Sequence, residues 1–220
     1  MISYTRNFED VILVRALRHI ERGFYVDVGA SSPTSDSNTY ALYNLGWRGV
    51  AIEPQTIFNQ LWQRHRAEDT LVNAALADAP GQAVLFTPVD YGQSATINTD
   101  FARDYAQLGL AMSEHIVPVH TLTEVLQLTR PQGDIHLLCI DAEGAESAVL
   151  LGLDWTRFRP WLVMLEAVLP GERTAQHEQW EPYLLSQGYE FVYFDAVNRF
   201  YVTAEHRELC EHFTLPPNVW

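Results

Sequence analysis

Short apolar segments alternate along the chain with segments whose apolar residues recur at helical spacing. The apolar segments, which we predict to be strands, are residues 23–29, 49–53, 70–76, 135–141 and 161–166. The predicted helices between and after them are residues 38–44, 57–66, 122–128, 145–151 and 177–187. This alternation is typical of βαβ units, so the pattern predicts an α/β protein with a mostly parallel sheet.

The last part of the pattern changes after Gly188, a residue type that commonly ends a helix. Residues 189–194 and 199–203 are two strand-like runs joined by the short connection 195–198. A connection this short joins antiparallel neighbours, and we therefore predict a C-terminal antiparallel hairpin at the end of the sheet.

The length of 220 residues fits a single domain, which we expect to span residues 1–220. We interpret residues 1–22 as an N-terminal helical extension and residues 81–87 as an additional strand. Residues 88–113 form a long polar connection, and long connections in compact domains are commonly functional. This connection is predicted to be a lid or substrate loop.

Charge and composition exclude several classes of function. The net charge of −14 opposes binding to a phosphate backbone, so we expect no nucleic-acid partner. All 14 basic residues are arginine, which removes lysine as a Schiff base or general base. Residues 1–21 interleave apolar with charged side chains, so we expect no signal peptide, no membrane span and a cytoplasmic location.

The first strand is followed by a turn of small residues, in which Asp27 precedes Gly29, Ala30 and Ser31. A dinucleotide site would require the fuller G-x-G-x-x-G pattern for its pyrophosphate, which argues against a nicotinamide dehydrogenase. S-adenosylmethionine lacks a phosphate, and Asp27 would suit its ammonium group. The same residues also fit an ordinary strand-to-loop turn.

The second and third strands end in residues suited to a nucleoside. Glu53 follows Gly29 at about the spacing at which dinucleotide folds place the acid that binds the ribose hydroxyls. We expect Glu53 to face solvent, and its alternative role is a plain surface charge. Asn73 and Ala74 lie where the third strand would border an adenine ring.

Three acidic residues follow the fourth and fifth strands and are our candidates for catalysis. Asp141 and Glu143 come directly after the fourth strand, and Glu166 ends the fifth. One of them would act as a general base, or Asp141 and Glu166 would hold a divalent metal. A metal is not favoured, because the sequence shows no tight ligand cluster. His115 is the alternative base.

Five motifs occur in an order that resembles the FkbM family of O-methyltransferases. They are DVGA, IEP, NAAL, IDAEGAE and NRFYV, beginning at residues 27, 52, 73, 140 and 198. The most characteristic is IDAEGAE. The first loop differs from the common family pattern, because Ser31, Ser32 and Pro33 stand where many members carry a further glycine.

The resemblance implies a Rossmann-like methyltransferase fold and S-adenosylmethionine as the cofactor, with Asp27, Gly29, Ala30, Ser31, Glu53, Asn73, Ala74 and Asp141 around it. It also implies O-methylation of a small or glycan acceptor, and we favour a saccharide. The alternative is a non-catalytic nucleoside-binding or scaffold module of a glycan-assembly complex. The sequence does not identify the acceptor, the methylated position or the oligomeric state.

Overall fold

The computed structural model describes residues 2–89, 94–129, 133–168 and 176–217. Its strands are β1 (Phe24–Val28), β2 (Arg48–Ile52), β3 (Thr70–Val72), β4 (Ala75–Leu76), β5 (Gly81–Pro88), β6 (Met112–His120), β7 (Leu137–Ile140), β8 (Leu162–Glu166), β9 (Tyr189–Phe194) and β10 (Asn198–Thr203). Its α-helices are α1 (Glu9–Ala16), α2 (Tyr40–Asn44), α3 (Asn59–His65), α4 (Thr99–Gln107), α5 (Leu122–Thr129), α6 (Glu146–Leu151) and α7 (Glu181–Ser186). Short 3-10 helices span Thr56–Phe58, His177–Gln179 and Ala204–Phe213.

Seven strands form the main sheet in the order β3-β2-β1-β7-β8-β10-β9. Neighbours from β3 to β8 pair in parallel, whereas β10 pairs antiparallel with both β8 and β9. The order reverses direction between β1 and β7, and ligands of open α/β sheets bind beside such a reversal. The predicted Rossmann-like fold with its C-terminal hairpin is confirmed.

The sheet is covered on both faces, which explains why its central strands are apolar throughout. On one face, alternate residues such as Val26 and Leu138 pack against α5 and α6. On the other face, Tyr25 and Cys139 pack against α1, α2 and the C-terminal 3-10 helix. The core therefore fixes the strands, and their carboxyl ends are left to form a cleft.

The segment 70–76 was predicted as one strand, and this prediction is wrong. The segment divides into β3, which joins the main sheet, and β4, which joins β6 and β5 in a second, three-stranded sheet. The division falls at Asn73, whose side-chain amide donates to the Glu53 carbonyl and exchanges hydrogen bonds with Asn59. These bonds replace strand pairing and turn the chain towards the second sheet.

The polar connection 88–113 contains secondary structure that its composition did not indicate. Helix α4 occupies its second half, begins with an Asn98 cap and is followed by β6 from Met112. Residues 90–93 of the connection lie outside the described residues. Of the helices described, none is long and apolar enough to cross a membrane.

Candidate active site

The carboxyl ends of β1, β2, β7 and β8 bring four predicted residues to one edge of the sheet. Val28 is in register with both Ile52 and Ile140, and Ile140 is in register with Leu165. Gly29, Glu53 and Asp141 directly follow β1, β2 and β7, and Glu166 is the last residue of β8. The parallel register therefore places these four side by side, as expected from their positions in the sequence.

At Gly29 the turn after β1 lies close to the turn after β7. Its φ is +75°, and a Cβ at this position would lie 1.7 Å from the carbonyl oxygen of Asp141. The N–H groups of Gly29 and Ala30 both donate to the Ile52 carbonyl. Only glycine fits this turn, because any side chain would collide with backbone and adopt a disfavoured conformation.

Glu53 is buried rather than solvent-facing, and our expectation of an exposed acid is wrong. Its side chain accepts hydrogen bonds from the backbone N–H groups of Ser31 (2.8 Å) and Gln55 (2.7 Å). Burial raises its pKa to about 7, against the effect of these two bonds. Glu53 thus joins the ends of β1 and β2, and it also accepts a hydrogen bond from the Gln55 side chain. These three bonds leave about one of its four lone-pair positions for a ligand hydroxyl.

Replacement of Glu53 by alanine is expected to lower the free energy of unfolding by about 2 kcal/mol, because two buried backbone donors lose their acceptor. The same change should weaken S-adenosylmethionine binding about tenfold or more. Denaturant titration and calorimetry measure the two effects. Glu114→Ala, at an exposed position of β6, is the control. Wild-type values for both quantities would contradict this assignment.

A first cleft of about 500 Å³, open to solvent, lies between β2, β4 and β7. Its walls are mostly small or apolar, and include Ile52, Ala74, Ala75, Leu76 and Leu85. Glu53, Asp141 and Glu143 supply its acidic groups. Clefts with mostly apolar walls and a few polar groups are typical of small-ligand sites.

The side chain of Asn73 forms hydrogen bonds that shape the turn between β3 and β4. A structural role is therefore the alternative to its predicted part in cofactor binding.

A second, wider cavity of about 990 Å³ meets the first at Gly29, Asp141 and Glu143. Asp27, Ala30, Ser31 and Glu166 also line it, together with residues of the N-terminal segment. Asp27 is buried and accepts a 2.6 Å hydrogen bond from the Thr39 hydroxyl. Burial raises the pKa of Asp27, and the Thr39 bond opposes that rise.

The turn after β7 is held by its own glutamate. The Glu146 carboxylate accepts from the N–H groups of Ala142 (3.0 Å) and Gly144 (3.2 Å). Glu143 and Gly144 both have left-handed backbone conformations, with φ of +48° and +92°. A Cβ on Gly144 would lie 2.6 Å from the ring of Phe101 in α4. The DAEGAE sequence therefore encodes a tight turn that projects Asp141 and Glu143 into the cavities.

The connection 88–113 packs on this turn from outside. The Thr96 hydroxyl donates to the Glu143 carbonyl (2.7 Å), and the Asn98 amide donates to the Gly144 carbonyl (2.8 Å). The Tyr105 hydroxyl donates to the Glu143 carboxylate at 2.8 Å. The conformation of the turn is thus coupled to the position of α4.

Asp141, Glu143 and Glu166 form a carboxylate cluster, in which one oxygen of each lies within 4.8 Å of the others. Burial raises the pKa of Asp141 to about 6 and that of Glu143 to about 8. Burial and the neighbouring carboxylates raise the pKa of Glu166 well above its usual range. Like charges at this distance oppose simultaneous ionisation, so the cluster retains a proton near neutral pH. Such a cluster is able to accept a proton or to hold a divalent cation with oxygen ligands.

The arrangement of these motifs is matched by a known protein family. The family model described as Methyltransferase FkbM domain matches residues 27–191, three quarters of the chain. The chain belongs to the FkbM methyltransferase family. Comparisons with curated proteins and with solved structures give no match.

Several residues around the site of this FkbM methyltransferase escaped the sequence analysis. Thr96, Asn98 and Tyr105, which donate hydrogen bonds to Glu143 and Gly144, lie in the polar connection 88–113. Only the length of that connection indicated a function. His115, the alternative base, lies exposed in β6 and pairs with Leu85 of the second sheet. His115 is not among the described residues that line either cavity.

Proposed function

We propose that this methyltransferase uses S-adenosylmethionine to methylate a hydroxyl group of a small or glycan acceptor, with a saccharide favoured. The observation that carries the proposal is the junction of two cavities at Gly29, Asp141 and Glu143. The first cleft has the apolar walls expected of a nucleoside site, and the second cavity is lined by acidic residues. The reacting methyl group belongs at their junction.

The first cleft is assigned to the adenosine part of the cofactor. Ala74, Ala75 and Leu76 offer a flat apolar wall for the adenine ring. Glu53 presents its remaining lone-pair position to a ribose hydroxyl, and both of its oxygens are already oriented by backbone donors. This preorganisation lowers the entropic cost of binding.

The wider cavity is assigned to the methionine part and to the acceptor. Its acidic residues match the positive charges of the cofactor, namely the sulfonium and the ammonium group. Asp27 and Asp141 flank Gly29 and are placed to attract these charges. Glu166 lines the same cavity, as do residues 5–7, and we assign it to the acceptor.

In the proposed reaction, an acceptor oxygen attacks the methyl carbon in line with the carbon–sulfur bond. An oxygen–carbon bond forms as that bond breaks, and its electron pair remains on the sulfur of S-adenosylhomocysteine. The hydroxyl proton passes to the carboxylate cluster, in which Asp141, with a pKa of about 6, ionises more readily than Glu143, with a pKa of about 8. General-base assistance of this kind contributes about 10²–10⁴-fold to the rate.

A divalent cation is the alternative use of the same cluster. Three carboxylates within 4.8 Å offer the oxygen ligands that Mg²⁺ or Mn²⁺ prefers. The cation would lower the pKa of a bound acceptor hydroxyl and remove the need for a protein base. Restoration of activity by Mg²⁺ or Mn²⁺ after chelation distinguishes this route from direct proton transfer.

Calorimetry should show saturable binding of S-adenosylmethionine and S-adenosylhomocysteine, and negligible binding of NAD. The N–H groups of Gly29, Ala30 and Ser31 are all engaged within the protein, so this turn offers none of them to a pyrophosphate. Turnover against a carbohydrate panel then tests the acceptor class. Comparable affinity for NAD would refute the proposal, and cofactor binding without turnover would favour the scaffold alternative.

A further inference from the structure

We propose that Arg6, in the N-terminal segment, binds the carboxylate of the methionine part of S-adenosylmethionine. This inference rests on the proposed function and concerns the wider cavity. Arg6 lies outside residues 27–191, which the family model covers. The carboxylate partner would therefore be supplied from outside the matched residues.

The N-terminal segment, residues 3–9, is fixed along the wall of the wider cavity. The buried Asp10 carboxylate accepts from the Ser3 hydroxyl (2.7 Å), the Tyr4 N–H (2.7 Å) and the Thr5 hydroxyl (3.1 Å). The Asn7 amide donates to the carbonyl of Asp195 at 2.7 Å. These bonds fix the chain on both sides of Arg6, which lines the cavity.

The charges of the cavity leave Arg6 a distinct role. Among the described residues that line it, Arg6 alone carries a positive charge, whereas Glu9, Asp27, Asp36, Asp141, Glu143 and Glu166 are acidic. The cofactor has two cationic groups and one carboxylate. The acids suit the cationic groups, and Arg6 suits the carboxylate, which it would contact through a bidentate pair.

The backbone of the first loop provides few other donors for a carboxylate. The Gly29 and Ala30 N–H groups donate to the Ile52 carbonyl, and the Ser31 N–H donates to Glu53. The Ser31 hydroxyl, in contrast, is buried and has no hydrogen-bond partner in the described part of the chain. Ser31 also lines the wider cavity, and its hydroxyl is the second donor that we assign to the carboxylate.

In the structure the Arg6 guanidinium contacts Asp36 at 2.6 Å. The Arg6 side chain is 75% exposed, and ion pairs in such settings contribute only about 0–1 kcal/mol. A ligand carboxylate would compete with Asp36 for the Arg6 guanidinium. Asp36 acts as an internal competitor for Arg6 in the unliganded protein.

The test compares two ligands and three proteins by calorimetry. Decarboxylated S-adenosylmethionine keeps the adenosine, the sulfonium and the amine but lacks the carboxylate. The proteins are the wild type, Arg6→Gln and the control Arg103→Gln. Arg103 has a similarly exposed ion pair, with Asp100 on α4. Thermal unfolding confirms that all three proteins are folded.

The wild type should bind S-adenosylmethionine up to about fivefold more tightly than the decarboxylated analogue, which is the upper end of what an exposed ion pair contributes. Arg6→Gln should lose this preference by weakening S-adenosylmethionine alone, and Arg103→Gln should retain it. A fourth protein, Asp36→Asn, measured in the same way, should bind S-adenosylmethionine more tightly because the competing carboxylate is removed.

Three results overturn the assignment of Arg6. They are an equal loss of both ligands in Arg6→Gln, no preference for the carboxylate in the wild type, and unchanged cofactor binding with a raised acceptor KM. The last would assign Arg6 to an anionic acceptor. Failure of the wild type to bind either ligand would instead refute the proposed function itself.

Discussion

Asp141→Asn and Glu143→Gln are each expected to lower kcat by about 10²–10⁴-fold. The affinity for S-adenosylmethionine should change only a few-fold in Glu143→Gln and more in Asp141→Asn, because Asp141 also faces the positive charges of the cofactor. Both substitutions preserve shape and remove the negative charge that a base or a metal ligand requires. Single-turnover kinetics and calorimetry separate the two effects. Asp78→Asn, at an exposed position, is the matched control. Near-normal turnover in both cluster variants would remove the cluster from the mechanism.

The pH dependence of kcat gives the same prediction an independent readout. The raised pKa values of about 6 for Asp141 and about 8 for Glu143 predict that the cluster loses protons across this range. A base must be ionised, so kcat should rise with pH through this window in the wild type. Glu143→Gln removes one of the interacting groups and should displace the profile. A flat profile from pH 5 to pH 9 would contradict a titrating base.

Gly29→Ala is expected to lower the free energy of unfolding by about 3 kcal/mol or more, or to prevent folding. The new Cβ would overlap the Asp141 carbonyl oxygen at 1.7 Å, and φ is +75°. Backbone strain and overpacking each cost about 1–3 kcal/mol. Urea denaturation measures the change, and a folded variant should also bind the cofactor more weakly because β1 and β7 separate.

Gly81→Ala provides the control for Gly29→Ala. Gly81 begins β5, and no described atom lies within 4 Å of the Cβ that alanine would add. We expect its free energy of unfolding to remain within about 0.5 kcal/mol of the wild-type value. Similar free energies of unfolding for the two variants would show that the close contact between Gly29 and Asp141 does not determine the stability of the fold.

The strand pattern was sufficient to predict the main sheet and the position of its acids. Parallel strands end at one edge, so the sequence predicts that Asp141 and Glu166 lie next to each other and that Glu53 ends the second strand at the same edge. The burial of Glu53 was not predictable in this way. It depends on the N–H groups of Ser31 and Gln55, which turn towards the carboxylate only when β1 and β2 are paired.

Other features depend on contacts between distant parts of the chain. Asn73 diverts the third strand through bonds to Asn59 and to the Glu53 carbonyl, and a strand-like sequence gives no sign of such partners. Arg6 reaches the cavity because Asp10 anchors the segment around it. A local pattern of polar and apolar residues carries no information about these long-range contacts.

A crystal structure of the complex with S-adenosylhomocysteine tests the central claim most directly. It should place the adenine against Ala74 and Leu76, a ribose hydroxyl on the Glu53 carboxylate, and the sulfur at the junction beside Asp141. The predicted result is this orientation with Glu53 retaining its two backbone donors. A nucleoside bound elsewhere, or a ribose directed away from Glu53, would contradict the account.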